Sequence, residues 1–361
     1  MQSLKSIHHL RGIAAMGVLL FHAVAFVSGY GSQQLSPEQA VLGKAGVDIF
    51  FVISGFILTL VMGRAGGATE FMAGRLARVG LPYWSVLLAL VAASIVVPGA
   101  FRDIGWDSSD LVASILFVPT VERYGALFPI LEPGWTLCLE MFFYLLLAAS
   151  LSLAPVFRSL ALCTVLCGLA AAGLILDLPQ GDGIVWFFTQ SVLVEFCFGI
   201  AIAQIYLHGA EIGKRSALML IALGLAGFVF GAFYPPDSFT PIRLVSFGIP
   251  AALLVAGAVF LERAGGWIES RTMTFLGTVS YSLYLTHVLV LAVMAKLLSG
   301  RFEGIGGDLL MLVLAMGAAL VGAAVFYRLA EQPALWVAAR LKKRRMLSSA
   351  APGSISAEPA N

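Results

Sequence analysis

The sequence predicts an all-α, polytopic membrane protein of about ten transmembrane helices, with both termini in the cytoplasm. Of its 361 residues, 60% are hydrophobic and only 12% are charged, whereas a soluble domain carries about 25% charged residues. The apolar residues also fall into runs of about 20, which is the length that crosses a hydrocarbon core of roughly 30 Å. So much apolar surface cannot be buried in one water-soluble core, so most of it must face lipid.

Ten apolar runs are long enough to cross a membrane, and each is predicted to form one helix. They cover about residues 10–30, 41–62, 80–98, 134–154, 159–177, 184–207, 216–234, 242–261, 276–298 and 308–328. The stretch Asp110–Thr120 is too short to span and is predicted to be interfacial or re-entrant. The first run continues past the length of a signal peptide, so it is predicted to be a membrane helix.

The basic residues predict the orientation. With both termini inside, most of the 22 Lys and Arg residues fall on the cytoplasmic side and acidic residues dominate the outer loops, as the positive-inside rule requires. Residues 1–340 are predicted to form the membrane domain, and residues 341–361 a basic, then disordered cytoplasmic tail. The small net charge of +2 argues against a nucleic-acid partner. The four cysteines lie in apolar runs, where they indicate neither disulfides nor a zinc site, and no metal is expected.

Two polar residues stand out in the first apolar run. A charged side chain inside a bilayer costs at least about 2.5 kcal/mol, so each one is a candidate for function. Arg11 and His22 are eleven positions apart, which in a helix places them on nearly the same face, about 16 Å apart along the axis. A core histidine bonded to a neighbouring helix, with Arg11 reaching the membrane surface, explains these two residues equally well.

Further polar residues recur at similar predicted depths in other spans. In the fourth span, Thr136, Glu140 and Tyr144 follow one another at four-residue intervals and therefore share a face. Acids at overlapping depths favour a hydrated cavity near His22 over scattered structural hydrogen bonds, although Glu195 fits a structural role. The remaining polar residues are Asp48 in the second span, Glu195 in the sixth, and Ser280, Tyr284 and His287 on one face of the ninth.

A separate basic feature is predicted at the cytoplasmic face. Arg75 and Arg78 are one helical turn apart, just before a helix entry marked by Pro82. Two guanidinium groups at this spacing can bind a phosphate or pyrophosphate through paired hydrogen bonds. Because the positive-inside rule alone also explains basic residues here, the pair by itself does not decide for a phosphate site.

Taken together, these segments resemble the acyltransferase-3 family of integral membrane O-acyltransferases, which includes exopolysaccharide, O-antigen and Nod-factor acetyltransferases. The string LRGIAAMGVLLFH is similar to the family's Arg–ten residues–His signature, and the resemblance covers roughly residues 4–340. Thr136 stands where the family usually has Ser in its S-L-x-x-E segment. The other matching segments are GVDIFFVISGFIL with Asp48, the Arg75–Arg78 pair, GWTLCLEMFFY with Trp135 and Glu140, SYSLYLTH, and EQP at 331–333.

The resemblance implies transfer of an acyl group, commonly acetyl from acetyl-CoA, to a hydroxyl of a saccharide or glycolipid, in the inner membrane of a bacterium. It implies that Arg75 and Arg78 bind the acyl-CoA and that His22 is the general base. The other catalytic positions that it implies are Arg11, Asp48, Glu140 and His287. Asp48 or Glu140 would orient the imidazole or bind acceptor hydroxyls from the outer side. The expected substrate-binding residues are Trp135, Tyr144 and Tyr284.

Two other functions use the same buried polar residues. A transporter or flippase of a lipid-linked or small polar substrate would need them along its path, but the sequence lacks the paired broken helices typical of transporters. A pH sensor with buried histidines would need a signalling domain, and none follows the membrane helices. Consumption of a thioester separates an enzyme from a transporter. The oligomeric state is not predicted.

Overall fold

The computed structural model describes residues 4–32, 34–63, 66–96, 105–123, 126–178, 183–236 and 239–340. These residues form an α-helical protein with one two-stranded antiparallel hairpin, so the predicted all-α class is confirmed. The predicted tail at 341–361 lies outside the described residues.

Twelve helices follow one another along the described chain, with short 3-10 turns at Pro37–Lys44 and Glu132–Gly134. The hairpin lies between the fourth and fifth helices. The bounds are α1 Lys5–Tyr30, α2 Ala45–Met62, α3 Ala68–Val96, α4 Ser108–Ile115, β1 Val121–Arg123, β2 Ala126–Phe128, α5 Trp135–Ser150, α6 Pro155–Ile175, α7 Ile184–Phe187, α8 Leu193–Leu207, α9 Lys214–Phe233, α10 Leu244–Arg263, α11 Arg271–Leu298 and α12 Gly304–Arg340.

Nine helical segments of the described chain are long and apolar enough to cross a membrane. The sequence predicted ten spans. The prediction of one continuous helix over 184–207 is wrong, because this run forms two shorter helices. The Thr189 hydroxyl and the Gln190 amide donate to the carbonyl oxygen of Trp186, at 3.0 and 2.6 Å. Such local bonds compete with the helical ladder, so the run divides into α7 and α8. The predicted non-spanning stretch Asp110–Thr120 contains the end of the short helix α4.

Two contacts hold the N-terminal half of α1 against later parts of the chain. At its N-terminus, the Glu262 carboxylate of α10 accepts hydrogen bonds from the backbone N–H groups of Lys5 and Ser6, at 2.9 and 2.7 Å. An acid there satisfies orphan donors and complements the helix dipole. Further along, Gly12 meets Gly277 of α11 so closely that an added Cβ would lie 2.8 Å from the Gly277 nitrogen. Glycine therefore sets the distance between α1 and α11.

Three helices contain a π-helical turn, and in each case a proline follows two residues later. The turns are Leu76–Gly80 in α3, Leu244–Gly248 in α10 and Tyr327–Glu331 in α12, followed by Pro82, Pro250 and Pro333. Proline cannot donate a backbone hydrogen bond and its ring crowds the preceding turn, which a widened turn relieves. The helix entry predicted at Pro82 coincides with the end of the first of these turns, since a regular α-helical segment begins there at Leu81 within α3.

Candidate active site

Two cavities lie inside the helix bundle and share a wall. One has a volume of about 310 Å³ and the other about 700 Å³. Val47 of α2 and Tyr284 of α11 line both cavities. We call the first the arginine cavity, for Arg11, Arg75 and Arg78 in its wall, and the second the histidine cavity, for His22 and His287 in its wall.

The arginine cavity collects cations from two helices that are distant in sequence. Arg11 comes from α1, while Arg75 and Arg78 come from the start and centre of the π-turn region of α3. The Arg75 guanidinium lies 5.9 Å from the ring centroid of Tyr144, which positions it by a cation–π contact. The predicted pair of arginines thus faces one space together with Arg11, and apolar residues such as Ile53 and Ile57 form the rest of the wall.

Glu140 lies in the wall of the arginine cavity. Its Oε1 accepts hydrogen bonds from the Ser54 hydroxyl at 2.8 Å and the Tyr144 hydroxyl at 2.6 Å. The shared face predicted for Thr136, Glu140 and Tyr144 is confirmed, since all three line this cavity. The structure does not bring Glu140 to the histidine cavity, where the sequence placed it, because its carboxylate is bonded to Ser54 of α2 in the wall of the arginine cavity.

The histidine cavity brings together two imidazoles from α1 and α11. The ring centroids of His22 and His287 are 5.0 Å apart. His287 Nδ1 lies 2.8 Å from the Tyr284 carbonyl oxygen and 3.1 Å from that of Leu283. Because a carbonyl only accepts, Nδ1 carries the proton in the neutral ring and Nε2 holds a lone pair. That buried Nε2 has no hydrogen-bond partner in the described part of the chain.

Asp48 lines neither cavity. Its two oxygens accept hydrogen bonds from Arg243 Nε at 2.9 Å and Nη2 at 2.7 Å, in a bidentate ion pair that is almost fully buried. A direct contact of Asp48 with the imidazoles or an acceptor, as expected from the sequence, is therefore replaced by a contact with Arg243. Glu195 lies buried beside this pair, and Ser280 donates to the Gly277 carbonyl at 2.8 Å, away from both cavities.

Tyr284 stands in the wall between the two cavities. Its hydroxyl is 2.7 Å from the Thr136 hydroxyl and donates to the Pro133 carbonyl at 3.1 Å. Its ring packs edge-on against Phe50. Of the other expected substrate-binding residues, Tyr144 lines the arginine cavity and Trp135 lines the histidine cavity. The three residues therefore do not form one subsite; they are distributed over both.

Sequence reasoning missed several residues of the two walls. Arg243 was not singled out, because an arginine at the edge of an apolar run is common at the end of a membrane helix. Ser54 was passed over because a hydroxyl costs little in a membrane helix. Glu331, quoted in the EQP segment, had no predicted role; it lines the arginine cavity and accepts from the Ser282 hydroxyl at 2.6 Å.

The helix bundle thus places an arginine-lined cavity beside a histidine-lined cavity in its apolar interior, an arrangement expected of a membrane-embedded enzyme. The comparisons with known proteins are specific about which enzyme class this is. The sequence model of the acyltransferase 3 family, described as an acyltransferase domain, matches residues 4–328. The chain belongs to this family, and it is a multi-pass membrane O-acyltransferase.

Two relatives match along nearly their whole length. The exopolysaccharide production protein ExoZ of Rhizobium meliloti is 31% identical over 322 residues, which cover 88% of this chain and 94% of the relative. The acyltransferase MdmB of Streptomyces mycarofaciens is 27% identical over 389 aligned positions, covering 97% and 95%. A protein of the picA locus of Rhizobium radiobacter is 32% identical over 152 residues, covering 37% and 74%. No solved structure matches the chain.

Proposed function

We propose that this chain transfers an acyl group, most simply acetyl, from acyl-CoA to a hydroxyl of a saccharide or glycolipid acceptor. The donor's phosphates bind in the arginine cavity and the acceptor hydroxyl enters the histidine cavity. The observation that carries this proposal is the shared wall: Tyr284 and Val47 line both spaces, so the proposed donor and acceptor sites lie next to each other. The transporter alternative is dropped, because the chain belongs to an acyltransferase family.

The arginine cavity suits the donor because it combines charge with apolar surface. Arg11, Arg75 and Arg78 outnumber the acids Glu140 and Glu331 in its wall, so an anionic phosphate is attracted. Guanidinium groups bind phosphate oxygens through pairs of hydrogen bonds. The apolar residues of α2 in the same wall suit the extended arm that carries the thioester.

The histidine cavity suits proton removal. We assign the general base to His22, which faces the cavity and is half-buried. His287, with Nδ1 bonded to backbone carbonyls, offers Nε2 as a second acceptor that shares the proton with the neighbouring ring. General-base catalysis by a positioned side chain typically raises the rate 10²–10⁴-fold. The acceptor's oxygen, freed of its proton, then attacks the thioester carbonyl.

The aromatic wall of the histidine cavity supports a saccharide as acceptor. Phe239 lies 5.1 Å from Trp135 and 6.4 Å from Phe128 between ring centroids, and all three line the cavity. Aromatic faces of this kind give a sugar ring an apolar platform with polar groups at its edge. The similarity to an exopolysaccharide production protein favours the same class of acceptor.

The experiment measures CoA release and acyl transfer by purified protein in lipid vesicles. Labelled acetyl-CoA is the donor, and glycolipid extracted from a strain that lacks this chain is the acceptor. His22→Ala should lower the rate about 10²–10⁴-fold. His208→Ala is the matched control, because His208 is exposed and outside both cavities. Near-normal turnover by His22→Ala would remove the general-base assignment, and wild-type protein that releases no CoA would refute the proposed function.

Donor binding is tested separately by titrating acetyl-CoA. A charge-assisted hydrogen bond contributes about 1.5–3 kcal/mol, so Arg75→Ala or Arg78→Ala should raise the Kd about 10–150-fold. Arg158→Ala is the control, because the Arg158 side chain bonds to the carbonyl oxygens of Leu151 and Leu153, outside both cavities. An unchanged Kd in the double variant of Arg75 and Arg78 would exclude this donor site.

A further inference from the structure

Arg243 is a buried guanidinium in the wall of the histidine cavity. The residue is 3% exposed and directly precedes the π turn of α10. Nε and Nη2 donate to Asp48, and Nη2 also donates to the Lys44 carbonyl at 3.1 Å. His22, His287 and Tyr284 line the same cavity. The chain thus holds a fixed cation beside the two imidazoles.

The ion pair with Asp48 leaves one edge of the guanidinium unused. Among the hydrogen bonds of the described residues, those of Arg243 come from Nε and Nη2, and none comes from Nη1. A link between α2 and α10 alone would be served as well by an apolar pair, since a buried ion pair contributes little net stability. An arginine in a cavity wall whose Nη1 donates no hydrogen bond to the described residues is instead suited to bind an oxygen atom.

We propose that Arg243 binds the carbonyl oxygen of the acyl group during transfer, which rests on the function proposed above. The acceptor oxygen forms a bond to the thioester carbonyl carbon while its proton moves to His22. The carbonyl oxygen takes the negative charge and accepts hydrogen bonds from Nη1 of Arg243. The C–S bond then breaks, the carbonyl re-forms, and the CoA thiolate leaves and takes the proton. Donors already oriented toward such an oxyanion lower the barrier without reorganisation.

One observation favours the acyl carbonyl over an acidic group of the acceptor. Asp48 compensates the charge of Arg243, so the pair attracts a preformed anion only weakly, while the Nη1 N–H groups can still donate to a carbonyl oxygen. In this arrangement Asp48 is a positioning residue, because two hydrogen bonds prevent rotation of the guanidinium plane.

The test compares Arg243→Ala and Arg243→Lys with the wild type in the vesicle assay, using acetyl-CoA and the extracted glycolipid. Removing one oxyanion donor lowers kcat about 10²–10³-fold; we expect this loss in Arg243→Ala, with KM for the acceptor and Kd for acetyl-CoA changed less than about threefold. Added guanidinium chloride should restore part of the rate in Arg243→Ala, but not in His22→Ala. Arg263→Ala is the control: Arg263 is the last residue of the helix that Arg243 precedes, and its guanidinium lies 3.6 Å from the Tyr206 ring centroid, outside both cavities.

Three results would overturn the inference while leaving the acyltransferase function intact. The first is a kcat of Arg243→Ala within about threefold of the wild type. The second is a raised KM for the acceptor at unchanged kcat, which would show that Arg243 binds the acceptor. The third is a loss of kcat that added guanidinium does not restore. If Arg243→Ala does not fold, Arg243→Lys tests the proposal instead, because it keeps a cation opposite Asp48. A kcat lowered at least about tenfold at an unchanged Tm would support the role of Arg243, and a wild-type kcat would refute it. Absence of CoA release by the wild type would instead refute the proposed function itself.

Discussion

The contact between α1 and α11 controls the distance between the two imidazoles, so it should be sensitive to a single methyl group. In Gly12→Ala, the new Cβ would lie 2.8 Å from both the Gly277 nitrogen and the Leu276 Cβ. Ordinary carbon contacts are about 3.5–4.0 Å, and backbone cannot move aside as a side chain does. The helices must therefore separate by roughly 1 Å.

A displacement of this size should reduce activity more than stability. Misplacing reacting groups by about 1 Å can cost 10²-fold in rate, and overpacking a tight contact costs about 1–3 kcal/mol. Gly12 lies between Arg11 and His22 on α1, so both cavities lose their alignment with α11. We expect Gly12→Ala to lower kcat about 10–100-fold while the protein still unfolds cooperatively.

The matched control is Gly29→Ala on the same helix, where an added Cβ meets nothing within 4 Å. Replacing an unobstructed helical glycine by alanine stabilises by about 0.4–1 kcal/mol, so this variant should keep full activity and a Tm at least equal to that of the wild type. The assay is acyl transfer from labelled acetyl-CoA, with thermal unfolding in detergent alongside. Full activity of Gly12→Ala would refute the reasoning that this contact aligns the two imidazoles.

Two further predictions concern charges. Asp48→Leu leaves Arg243 unpaired and buried, so the free energy of unfolding should fall by about 3–5 kcal/mol. The double variant Asp48→Leu with Arg243→Met should recover much of this loss. A double variant as unstable as the single one would contradict the prediction. At the surface, the Lys5 ammonium lies 2.6 Å from Glu269 and lowers the pKa of that carboxyl. A carboxyl whose pKa is lowered in the folded state stabilises the folded protein above its ordinary pKa of 4.5, and this stabilisation is lost as the pH falls through the lowered pKa. Glu269→Gln should therefore match the wild-type Tm at acidic pH. At neutral pH and low salt its Tm should fall slightly below that of the wild type. A difference that persists at high salt would contradict this assignment.

The membrane fold follows closely from the sequence because the lipid environment imposes simple rules. Backbone groups in a bilayer must be bonded internally, so runs of about 20 apolar residues become helices almost without regard to their neighbours. The prediction for 184–207 is wrong for a local reason, since hydrophobicity does not register the side-chain bonds of Thr189 and Gln190 to backbone carbonyls.

The candidate site was only partly predictable. The register of Arg11 and His22 on one helix, and the pairing of Arg75 with Arg78, follow from helical periodicity alone. The partner of Asp48 does not, because Arg243 is 195 residues away in sequence. Its selection depends on how α2 packs against α10.

What the sequence alone determined is nine membrane helices of the described chain, the family, and the polar residues whose place inside apolar runs makes them candidates for function. What only the tertiary structure decided is their distribution. Glu140 faces the arginines, Asp48 is engaged with Arg243, and Tyr284 stands between two cavities. The physical reason is that periodicity fixes which residues share a helix face, whereas the faces that meet are chosen by small-residue contacts such as Gly12 against Gly277.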